Sequence, residues 1–123
     1  MATKQEVEQF LRDLKDKIRF FDVAFRPRDK NIEALAELDI LPVDRLECLR
    51  NLTAENYYSG PNKDTYDPGK PDYFEFGIRI KKKEVYVKIS LGLPNKRADC
   101  MSFHIAEFRI TYPFKPKTDE QQN

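Results

Sequence analysis

The runs Tyr73-Phe74-Glu75-Phe76-Gly77-Ile78-Arg79-Ile80 and Val85-Tyr86-Val87-Lys88-Ile89-Ser90-Leu91, separated by Lys81-Lys82-Lys83-Glu84, decide the fold. In the first, Phe74, Phe76, Ile78 and Ile80 alternate with Tyr73, Glu75, Gly77 and Arg79. In the second, Val85, Val87, Ile89 and Leu91 alternate with Tyr86, Lys88 and Ser90. A period of two belongs to an extended strand with one apolar face. A third run sets Met101, Phe103 and Ile105 against Cys100, Ser102 and His104. The lysine run at 81–83 and the Pro94-Asn95 turn are the connections. Three such strands predict an antiparallel meander with one face on the core and one facing outward.

Working outward, the N-terminal half reads as helical. Val7, Phe10, Leu11, Leu14 and Ile18 recur at helical spacing among charged residues, predicting an amphipathic helix over about 4–16. Lys17 to Arg26 is rich in β-formers and reads as a strand. Residues 27–31 form a loop, and Asn31 is placed to cap a second helix carrying Ile32, Leu35, Ala36 and Leu38. Pro42 can open a third, holding Leu46, Cys48, Leu49 and Leu52. Thr53 starts one more short turn. Ser59 to Asp72, rich in Gly, Pro, Asn and Asp, reads as a long ordered loop of the kind that often carries function. Helices first and strands afterwards predict an α+β domain, with N-terminal helices packed on one face of an antiparallel sheet. Its span is 1–115, and 116–123 reads as a disordered polar tail.

Size and composition agree with one domain and one core: 123 residues, 40% hydrophobic. The net charge is only +1, from 22 basic and 21 acidic residues, so support for a nucleic-acid partner has to come from local charge. No stretch reaches the ~18 consecutive apolar residues of a membrane helix. The first residues are polar and lack the apolar core of a signal peptide, so no membrane partner and a cytoplasmic location are expected. Cys48 and Cys100 are then expected to be reduced. One histidine and two separated cysteines make no zinc pattern, and neither metal nor cofactor is expected.

The outward face of the meander carries the chemistry. If the apolar set faces the helices, Glu75, Arg79, Tyr86, Lys88, Ser90, Ser102 and His104 share the other side. Cleavage of RNA by its own 2′-hydroxyl needs a base for that hydroxyl, an acid for the leaving 5′-oxygen and positive groups on the phosphate. His104 suits acid or base work near neutral pH. Lys88 and Arg79 can hold phosphate, and Tyr86 can contact phosphate or assist proton transfer. From Arg79 to Asp99 there are seven basic residues and two acids, Glu84 and Asp99, a net of +5. Tyr57, Tyr58, Tyr66 and Tyr73 can stack on bases. Each feature also has an ordinary meaning. A lysine run in a hairpin is usually a solvated tip, a strand histidine is often structural, and loop tyrosines often pack their own loop.

Four blocks together resemble the MqsR family of toxins, relatives of the RelE-like ribonucleases. They are Tyr57-Tyr58-Ser59-Gly60-Pro61-Asn62-Lys63-Asp64, then Phe76-Gly77, then Tyr86-Val87-Lys88-Ile89, then Ser102-Phe103-His104. The likeness spans about residues 6–115. It implies a RelE-like fold, metal-independent endoribonuclease activity on mRNA, and a cognate antitoxin protein, with the ribosome as a further partner. Better-known members carry a lysine where Ser59 stands and a glutamine where Glu75 stands; the strand tyrosine is kept as Tyr86, and a lysine near the C-terminus aligns with His104. Lys63 is the loop's replacement for the missing lysine. The site so implied has His104, Tyr86 and Lys88 as catalytic residues. Lys63, Arg79, Lys81, Lys82, Lys83, Tyr58 and Glu75 contact RNA. The competing readings are a non-catalytic nucleic-acid-binding module, favoured by the repulsion Glu75 would exert on phosphate, and a plain protein-interaction domain.

Overall fold

The meander forms where alternation places it, in a computed structural model that describes residues 1–116. From residue 117 on, the expected polar tail lies outside the described residues. Strands β3 (Tyr73–Ile80), β4 (Lys83–Ser90) and β5 (Ala98–Ile105) pair antiparallel in sequence order. Before them come helix α1 (Lys4–Phe21), strand β1 (Val23–Phe25), helices α2 (Asp29–Leu38) and α3 (Asp44–Arg50), a 3-10 turn at Ala54–Asn56 and strand β2 (Tyr57–Asn62). The sheet order is β1-β5-β4-β3-β2, with only β1 parallel to its neighbour. The fold is therefore α+β, with three helices and a five-stranded, mostly antiparallel sheet among the described residues. No helix among the described residues is long and apolar enough to cross a membrane.

One core joins the helices to the inward face of the sheet. Val7, Phe10, Leu11, Leu14 and Ile18 from α1, Ala34 and Leu38 from α2 and Leu49 from α3 meet Phe74, Phe76, Val85, Val87, Ile89 and Phe103. Phe10 stacks on Phe74 and Phe76 at centroid distances of 4.0 and 6.1 Å. Ile105 and Leu35, expected at the centre, are only half-buried.

Five readings are corrected. Lys17 to Arg26 is not one strand. Thr3 and Glu6 close a capping box at the start of α1, and the helix runs on to Phe21 because Ile18 extends the buried stripe one turn beyond Leu14. Phe20 and Phe21 then fall off that stripe and are exposed. Second, α2 starts at Asp29, and the helix turns Ala34 rather than Ile32 or Ala36 to the core. Third, α3 begins at Asp44, leaving Pro42 in the turn before it. Fourth, the chain from Ser59 is strand β2 up to Asn62, and only residues 63–72 form the loop. Pro61 is tolerated there because β2 is an edge strand, whose outer side needs no donor.

The fifth correction concerns β5. The pairing shifts between Lys88↔Ser102 and Ile89↔Cys100, so Met101 is an extra residue in a bulge. Cys100 and Ala98, not Met101, face the core on the N-terminal side of it. β1 is too short to pair with β5 beyond Cys100. Asn31 takes over the ladder there instead of capping α2. Its buried side-chain amide donates to the carbonyls of Arg26 and Met101 at 3.0 and 3.1 Å, and its oxygen accepts from the Phe103 N–H at 2.9 Å.

Candidate functional site

Register sets out the polar face as two rows. Ser59, Glu75, Lys88 and Ser102 lie opposite one another across β2, β3, β4 and β5. Gly77, Tyr86 and His104 make the next row, about 7 Å along the strands. Glu75 and Tyr86 are thus diagonal neighbours, a separation an aromatic side chain spans.

Glu75 is the hub. It accepts a hydrogen bond from the Tyr86 hydroxyl and one of 2.9 Å from Asn62 Nδ2, which also reaches Ser59 Oγ at 3.2 Å. Burial first, and then the Glu75 carboxylate, push the Tyr86 phenol well above the ordinary tyrosine value. Tyr86 therefore keeps its proton and donates it to Glu75, which rules it out as a resting-state base. Lys88 stands opposite Glu75 but makes no ion pair among the described residues. Its ammonium lies 4.1 Å from the centroid of the Tyr73 ring. The His104 ring lies 5.5 Å from that of Tyr86. Its Nδ1 is 3.0 Å from the Ile105 carbonyl oxygen, an acceptor only, so that nitrogen carries the hydrogen. Nε2 is left to accept or, in the imidazolium, to donate a proton.

A strap formed by residues 106–116 crosses this face. Phe108 sits 5.4 Å from Tyr86 and 5.5 Å from Tyr58, Ile110 is buried, and Phe114 stacks on Tyr57 at 5.3 Å. Tyr112 passes over Gly77 and donates to Glu84 Oε2 at 2.7 Å. A Cβ at Gly77 would collide with the Tyr112 hydroxyl oxygen, so a larger residue there would push the Tyr112 ring off the sheet. At the other end of the sheet, Arg26 Nε and Nη2 grip both oxygens of Asp99 at 3.1 and 2.7 Å, and Lys70 from the 63–72 loop stands 3.8 Å away.

The fold brings together His104, Tyr86, Lys88 and Glu75, and reaches Tyr58 through Phe108. Lys63 is exposed where the loop begins. The lysine run lies elsewhere. Lys81 and Lys82 are the two left-handed residues of the hairpin turn, and Lys81 Nζ donates to the Asp39 carbonyl at 2.6 Å. Lys83 shares its face with Val85, on the helix side, and reaches the Glu37 carbonyl at 3.4 Å. Two of the three lysines thus neutralise the carbonyl end of α2. Arg79 is exposed farther along β3, on the outward face. Among the described residues, no group of three or more His, Cys, Asp or Glu is placed to hold a metal ion.

Sequence reasoning missed Asn62 and the whole strap. The one signal for the strap was Gly77, since a glycine inside a strand often marks the close approach of another segment. Set beside protein-family models, curated proteins and solved structures, the chain returns no match in any of the three.

Proposed function

We propose that this chain is a metal-independent endoribonuclease of the RelE/MqsR-like kind, the toxin of a type II toxin–antitoxin pair, acting on mRNA. The observation that carries the reading is the Glu75 carboxylate. It is held by Tyr86 and Asn62, in one row with Lys88 and one row from His104. A general base, a cation and an imidazole share one face of the sheet.

In this reading the roles divide by chemistry. Glu75 takes the proton of the 2′-hydroxyl. The 2′-oxygen then attacks phosphorus, and the bond to the 5′-oxygen breaks. His104, as imidazolium, gives its Nε2 proton to that leaving oxygen, so the products end in a 2′,3′-cyclic phosphate and a 5′-hydroxyl. Lys88 moves from the Tyr73 ring onto the phosphate, whose charge grows in the transition state. Tyr86 orients Glu75 through its hydrogen bond. A toxin of this kind also needs a cognate antitoxin protein, and ribosome-bound mRNA is one form its substrate can take.

Purified protein should cut a defined RNA, tested with and without ribosomes, and leave those two ends. His104→Ala should cut ~10²–10⁴-fold more slowly in single-turnover experiments with an unchanged melting curve. No cleavage by the wild type under either condition, or equal rates in the two proteins, would remove the reading.

A further inference from the structure

The strap is held down by Ile110, which is buried, and by Phe114, which packs against the core and stacks on Tyr57. Phe108 is different. It keeps 44% of its surface exposed although it is large and apolar. A single exposed apolar residue is ordinary on a protein surface, but this one has a particular place. Its ring lies 5.4 Å from that of Tyr86 with 65° between the planes, and 5.5 Å from that of Tyr58 with 44°. Neither contact is a parallel stack. Tyr86 in turn lies 5.5 Å from the His104 ring and donates its hydroxyl to Glu75. Phe108 thus stands one ring away from both groups assigned to proton transfer. Of the two rings beside Tyr86, His104 is half-buried and Phe108 is exposed.

Most tyrosines of this face are already engaged. Tyr57 is fully buried with its hydroxyl on the Gly60 carbonyl, the Tyr73 ring carries the Lys88 ammonium, and Tyr58 is half-buried against Phe108. The chemistry of Phe108 limits what it can hold. A phenyl ring has no hydrogen-bond donor or acceptor to offer, so its partner is the face of another π-system. In a single strand with its phosphate at Lys88, that π-system is a nucleobase, and any base serves because each has a π-face. We propose that Phe108 is the platform on which a base flanking the scissile phosphodiester stacks, with Tyr58 supporting the ring. The inference rests on the RNA-cutting reading and adds how the nucleotide beside the cut is held, whichever base it carries.

The test fixes the position of the cut. An octanucleotide carries 2′-O-methyl groups everywhere except at one ribose, so the proposed chemistry can break only the bond 3′ to that ribose. In two further substrates, the nucleotide on one side of that bond or the other has hydrogen in place of its base; the ribose keeps its 2′-hydroxyl. At subsaturating enzyme in single-turnover experiments, wild-type cleavage of one baseless substrate should be slower by ~5- to 150-fold, the ~1–3 kcal/mol that a base stacked on an aromatic side chain carries. Phe108→Leu keeps an apolar side chain beside Tyr58 and Tyr86. It should cut the intact substrate more slowly by a similar factor and lose nothing more when the base is absent. Phe108→Trp should keep the dependence on the base. Exchanging purine for pyrimidine there should change the wild-type rate far less than removing the base. Phe108 is exposed, so the melting curves of the variants should match the wild type. An equal fall in wild type and Phe108→Leu would leave Phe108 as part of the strap only. No fall in the wild type would show that neither flanking base is held. Either result overturns the platform, while cleavage of the intact octanucleotide keeps the RNA reading. A wild type that does not cut the intact octanucleotide would remove that reading, and the platform with it.

Discussion

Replacing Glu75 by Gln separates a base from a mere hydrogen-bond acceptor. The carboxylate accepts from Tyr86 on one oxygen and from Asn62 Nδ2 on the other. A Gln side chain can keep its oxygen on Tyr86, which turns its NH₂ group toward Asn62. Asn62 can answer by rotating its own amide, so that its oxygen accepts from the introduced NH₂ group and from the Ser59 hydroxyl. Every polar group then still has a partner. The remaining loss is the difference between a charged and a neutral acceptor, about 1 kcal/mol, on a half-buried group. The rate effect should be far larger: loss of a proton-transfer group takes away ~10²–10⁴, or about 3–5 kcal/mol of barrier. Single-turnover cleavage of one RNA gives the rate, and a urea titration gives the stability. Equal rates at equal stability would show that Glu75 only positions Tyr86. A third result would favour a binding module: tighter RNA binding by Glu75→Gln with no cleavage by either protein, since removing a carboxylate from a phosphate-binding face removes repulsion.

Phe103→Ala should destabilise the protein by ~3–5 kcal/mol in urea titrations, because Phe103 is fully buried on the inward face between β4 and the helices. Asn31→Ala should cost about 2–4 kcal/mol although Asn31 is polar, since it strands the buried Phe103 N–H and the Met101 carbonyl. A loss under about 1 kcal/mol would show that water replaces the amide there. In an ultraviolet phenolate titration, Tyr73, Tyr86 and Tyr112 should ionise above the ordinary tyrosine value, burial being the largest cause for each. The sign for stability follows. Below about pH 10 the phenols are neutral in both states and their contribution is whole. Above that value the unfolded chain ionises while these folded phenols hold their protons. Stability therefore falls as pH rises through the folded values. Ionisation of these three at the ordinary tyrosine value in the folded protein would contradict the buried network.

The meander was legible because residues 73–80 and 85–91 each alternate without interruption, and a register slip of one residue would turn Phe76 and Val87 to water. Elsewhere the local pattern had competitors. Lys17 to Arg26 is rich in β-branched and aromatic residues, but continuing α1 by one turn buries Ile18 on the existing stripe. A strand there would have broken that stripe to pair residues whose partner on β5 ends at Cys100. Gly60 and Pro61 read as loop residues, and β2 accommodates them with two register shifts against β3, which an edge strand permits. The bulge at Met101 has no compositional mark. It arises because β5 pairs with β4 on one side and changes its other neighbour from β1 to α2 midway along.

The same limit governs the site. Alternation alone put Tyr86, Lys88, His104 and Glu75 on one face, but Glu75 then read as an RNA contact that repels phosphate, not as a base. What changes that role is the pairing of Tyr86 with Gly77 rather than with Glu75. That pairing sets Glu75 on the diagonal, within reach of the phenol, and leaves it facing Lys88. A shift of two residues would keep every hydrophobic contact type on the inward face and yet bring Tyr86 opposite Glu75 or Arg79. The inward pattern is blind to shifts by two; the hairpin turn is not. Lys81 and Lys82 form a two-residue loop with both residues left-handed, and Ile80↔Lys83 is the pair that closes it. Lengthening that loop by two residues would move β4 against β3 without inverting its faces. The Lys81 bond to the Asp39 carbonyl holds the short loop against the end of α2. The lysines singled out as RNA contacts thus act on the site from a distance, by fixing the register that places Tyr86 beside Glu75.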